Sequence, residues 1–152
     1  MTHTIEISTE AVAREVYALA ALRYINAADG AARPALITRG HENLITDAAG
    51  CQLAMLGAGI LHLLDDIDPD GRDDGAGGRI MSLTLREGID SDPGRLSAIR
   101  HAVEHILALR IMEAAHYGTV ACMYGMEAQA VMPALLGMLS GGGLPRRRQC
   151  WV

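Results

Sequence analysis

Three short patterns hold the residue types that metal and acid–base chemistry need. His101-Ala-Val-Glu104-His105 places two imidazoles at i and i+4 with a carboxylate beside them. On a helix both rings share one face, so they can chelate zinc while Glu104 serves as a base, the H-x-x-E-H arrangement. That chemistry needs a third protein ligand, and Glu127 is the only acidic residue after Glu113. The alternative is a solvated helix face, because His101, Glu104, His105, Ala108 and His116 fall together on a helical wheel. Glu113-Ala-Ala-His116 is an E-x-x-H pair, but di-iron bundles need two such pairs and two further Glu. Glu113 reads instead as an ion-pair partner of Arg110 at i−3, orienting its helix.

Asp66-Ile-Asp68-Pro-Asp70-Gly71 is the sharpest local motif. Alternate carboxylates followed by Gly resemble the start of a calcium loop. The twelfth position, which should carry a bidentate Glu, is Gly77, and Pro69 constrains the fourth. The segment therefore reads first as an acidic, Gly-rich surface connection over 65–78, with a calcium-binding module as the alternative. Catalytic, cofactor and metal residues are accordingly assigned as none. The remaining candidates are on the C-terminal tail, where Arg146, Arg147, Arg148 and Trp151 follow Gly141-Gly-Gly143. A lone Trp beyond flexible glycines is suited to docking on a partner or a neighbouring subunit.

The elements that must position these residues follow from composition and periodicity. The chain has 152 residues, enough for one domain with its own core. Half of it is apolar, yet only 3% is aromatic and there is no Phe, so Ala, Leu, Ile, Val and Met must build the interior. The net charge is −5, and the six Asp against one Arg within 65–74 account for it. That balance argues against a nucleic-acid partner. Three scattered Cys form no disulfide framework, and residues 1–6 lack the basic start and apolar run of a leader, so a cytoplasmic setting is expected. The longest apolar stretch, 48–64, is broken by Gln52 and His62, so no membrane span is expected.

Residues 4–7 alternate and read as a short strand; 80–86 alternate cleanly and could pair with it. Ser8 or Thr9 caps a helix to about Ala27, with Val12, Val16, Leu19, Leu22 and Ile25 as its stripe. A second helix spans roughly 39–66 behind Thr38. Its second face, Gly50, Ala54, Gly57 and Ala58, is small, which predicts close packing on a neighbour. A third helix spans about 92–117, opened by Asp92-Pro93, and a fourth spans about 119–139, where Pro133 predicts a kink. The expected fold is mainly α: a four-helix, bundle-like single domain over 1–139 with a small two-stranded β ribbon, and a flexible tail over 140–152.

This order of elements resembles small helical proteins of prophages, of the head–tail connector or tail-completion type. The resemblance rests on Arg33, Ile37-Thr38, a long helix, the acidic segment, the strand 80–86, the helix 96–117, a final helix and the closing Leu144-Pro-Arg-Arg-Arg148. It departs in lacking a Trp near His116-Tyr117 and in its high Ala and Gly content. It implies a non-enzymatic, cytoplasmic or virion subunit that self-associates or joins other virion proteins, and no cofactor.

Overall fold

A computed structural model describes residues 2–25, 42–88 and 92–140. Strand β1 (Thr4–Ser8) leads directly into helix α1 (Thr9–Ile25), followed by α2 (Glu42–Gly59), a 3-10 turn at Leu61–Leu63, strands β2 (Leu64–Asp73) and β3 (Arg79–Leu85), and helices α3 (Pro93–Ala115) and α4 (Gly118–Leu139). The strands form one antiparallel sheet in the order β1-β3-β2. The expected pairing of 4–7 with 80–86 is present, with Thr4 opposite Thr84 and Ser8 opposite Ile80.

The two-stranded ribbon is corrected to three strands, and the bundle to an α+β arrangement, because the acidic segment is itself a strand. Its period-2 signal is lost in two register shifts against β3, between Leu64 and Asp66 and between Asp68 and Arg72. Strand β2 forms one edge of the sheet, where charged side chains and bulges are tolerated and discourage further pairing. The second helix stops at Gly59 rather than near 66 for the same reason. Gly71 makes the larger bulge possible. Its φ is +62°, and a Cβ there would stand 2.1 Å from the Ile80 carbonyl oxygen.

One face of the sheet is apolar and buried, through Ile5, Ile7, Met81, Leu83 and Leu85; helices α1, α2 and α3 pack over it. The opposite face is polar, with Arg72 bonded to Glu6 across β3 at 2.9 Å. At the start of α1 the two expected caps divide the work. Ser8 Oγ accepts from the Glu10 N–H at 3.2 Å, while buried Thr9 accepts from the Arg79 N–H at 2.9 Å and ties the helix to β3. The small face of α2 meets β2 in part: a Cβ at Gly57 would overlap Ile67 Cδ1, and one at Gly50 would press on the Pro69 carbonyl, whereas Ala54 and Ala58 are exposed. Among the described residues no helix is long and apolar enough to cross a membrane.

Helix α3 lies at the centre. It touches α1, α2, α4 and β1, and nine of its residues are buried. Asp92 caps it as expected, accepting from the Arg95 N–H at 3.2 Å, with Pro93 in the first turn. His116 and Tyr117 are extended, and Gly118 at φ +60° turns the chain back into α4. Helix α4 runs continuously through Pro133, whose ring is on the exposed side.

Candidate functional site

The His101–His105 pattern is on α3 as expected, but its members contact two different carboxylates. His105 Nδ1 bonds Glu15 of α1, and His101 Nδ1 stands 3.4 Å from Glu104. The two rings therefore serve different carboxylates. The solvated-face expectation is also corrected: His101 is exposed, whereas Glu104 and Ala108 are buried against the neighbouring elements. Burial pushes the Glu104 carboxyl above the ordinary Glu value, and His101 and Arg100 pull it partly back. Only the His105–Glu15 contact joins α3 to α1; His101 and Glu104 are both on α3.

Glu113 pairs with Arg110 at 2.9 Å, and its carboxylate rests over Gly125 of α4, where a Cβ would come within 2.2 Å of Oε2. The ion pair expected from the sequence thus seats one helix on the other. The His116 ring bonds the Met112 carbonyl through Nδ1 at 2.7 Å and stands 5.5 Å from that of Tyr124.

The carboxylates of the acidic segment hold backbone rather than converge. Asp68 accepts from the Gly71 N–H at 3.0 Å, inside the bulge. Asp73 accepts from the Gly75 N–H, and Asp74 accepts from the N–H groups of Ala76 and Gly78, closing the β2–β3 turn. Among the described residues no group of three or more His, Cys, Asp or Glu is placed to hold a metal ion. The tail candidates Arg146, Arg147, Arg148 and Trp151 lie outside the described residues.

The surface that stands out is on α4. Its 22 residues carry a single charge, Glu127. Tyr124, Gly125, Ala128, Leu135 and Leu139 face inward and are buried. Burial raises the Tyr124 hydroxyl above the ordinary tyrosine value; Arg23 lowers it and Glu127 raises it further. The outward face is nearly as apolar as the inward one. Met126 is 70% exposed and Met123 49%, and Cys122, Ala130, Pro133 and Ala134 are exposed beside them. The exposed apolar residues run from Cys122 to Ala134, about 18 Å at 1.5 Å per residue, with Thr119, Glu127 and Gln129 exposed on the same side. A helix that is apolar all round belongs between neighbours, yet its main contact here is α3 alone. Alongside it, a groove of about 610 Å³ opens between Met55 and Leu56 of α2, Ala114 of α3 and Met132 of α4.

Neither Met123 nor Met126 was among the residues singled out by motif. The signal that points to them is the absence of charge, one in 22 residues, at a place in the chain that the fold puts on the outside. Comparison with family models, with curated proteins and with solved structures finds no match to this chain.

Proposed function

We propose that this chain is a non-enzymatic assembly subunit whose contact surface is the outer face of α4. One observation carries the reading: exposed apolar residues from Cys122 to Ala134, with Met123 and Met126 foremost, on a helix with one charge whose main packing partner is α3. Contiguous exposed apolar surface of this kind marks protein contact sites. Methionine suits such a surface, since its unbranched side chain adapts to the shape of whatever covers it. Burying one Met removes enough apolar area to contribute roughly 1.5–3 kcal/mol. The resemblance to prophage connector and tail-completion subunits implies the same class of role, in the cytoplasm before assembly and in a virion after it.

Native mass spectrometry of the untagged chain, from low to high micromolar concentration, tests the reading. A discrete multimer is the expected result. A monomer at every concentration overturns it. The same measurement on a chain ending at Ser140 shows whether the segment with Arg146, Arg147, Arg148 and Trp151 contributes. A lower multimer population is expected, and an unchanged one removes the tail from the contact.

A further inference from the structure

We draw no further inference here: the strongest candidate, the apolar groove between α2, α3 and α4 beside Met55, Leu56, Ala114 and Met132, carries none, since nothing in the structure shows what covers it.

Discussion

Helices α3 and α4 are 23 and 22 residues long and lie against each other, yet composition and position are inverted between them. Helix α3 carries Arg95, Arg100, Glu104, Arg110 and Glu113 besides two His, and it occupies the centre of the molecule. Helix α4 carries Glu127 alone and occupies the outside. The polar residues of α3 are tolerated at the centre because they leave in pairs: Glu104 with His101, His105 with Glu15, and Arg110 with Glu113 over Gly125. The apolar residues Met123, Met126, Ala130, Pro133 and Ala134 on the outside of α4 stay exposed. The contrast teaches that charge count along a helix does not rank its depth.

The contrast can be broken most severely from the α3 side. Leu107 is fully buried, so Leu107→Ala should cost about 2–5 kcal/mol by urea denaturation, from lost transfer energy and the cavity left behind. A cost below about 1 kcal/mol would mean that α3 is not the packing centre.

A smaller effect should come from Glu104. Its carboxyl is raised by burial, so the folded state binds its proton more readily than the unfolded chain. Stability from this group is then present at low pH and is lost as pH rises from the ordinary Glu value through the folded one. Glu104→Gln should therefore raise the Tm at neutral pH, and the gain should shrink as pH falls toward the ordinary Glu range. A loss of stability at neutral pH would show that the His101 pairing outweighs burial.

Glu113→Ala sharpens the contact between the two helices. Both members of the Arg110 pair are about one-third exposed, so the loss should be about 0.5–1 kcal/mol. It should be accompanied by faster amide exchange in α4 than in α3, since the carboxylate seats Gly125.

The smallest change in protomer stability should come from the outer stripe. Met123→Gln should shift the free energy of unfolding of the monomer by no more than about 0.5 kcal/mol, while lowering the multimer population in native mass spectra. A destabilisation comparable to that of Leu107→Ala would place Met123 in the interior and end the comparison.

Much of the helical framework was legible because helices signal locally. The Asp92-Pro93 start, the Ser8 cap and the Arg110–Glu113 spacing are each set by neighbours within one turn, and all three stand in the structure. Strand β2 was not legible. Its two bulges break the alternation, its Asp residues mimic a calcium loop, and its apolar contributions reduce to Leu64 and Ile67. The motif residues Asp68 and Gly71 did carry a message, but it concerned the bulge: one holds the backbone N–H, and the other adopts the positive φ.

By itself the sequence determined where α1 and α3 start, where α4 runs, which face of β1 and β3 is apolar, and that one helix has almost no charge. Those properties depend on residues a few positions apart, linked by short-range sterics, capping and periodicity. Only the tertiary structure decided that β2 joins the sheet, that His101 and His105 serve separate carboxylates, and that the most apolar helix lies outside. Strand β2 pairs with residues up to 21 positions away, and His105 meets Glu15 across 90. These outcomes follow from which surfaces the whole chain can bury at once.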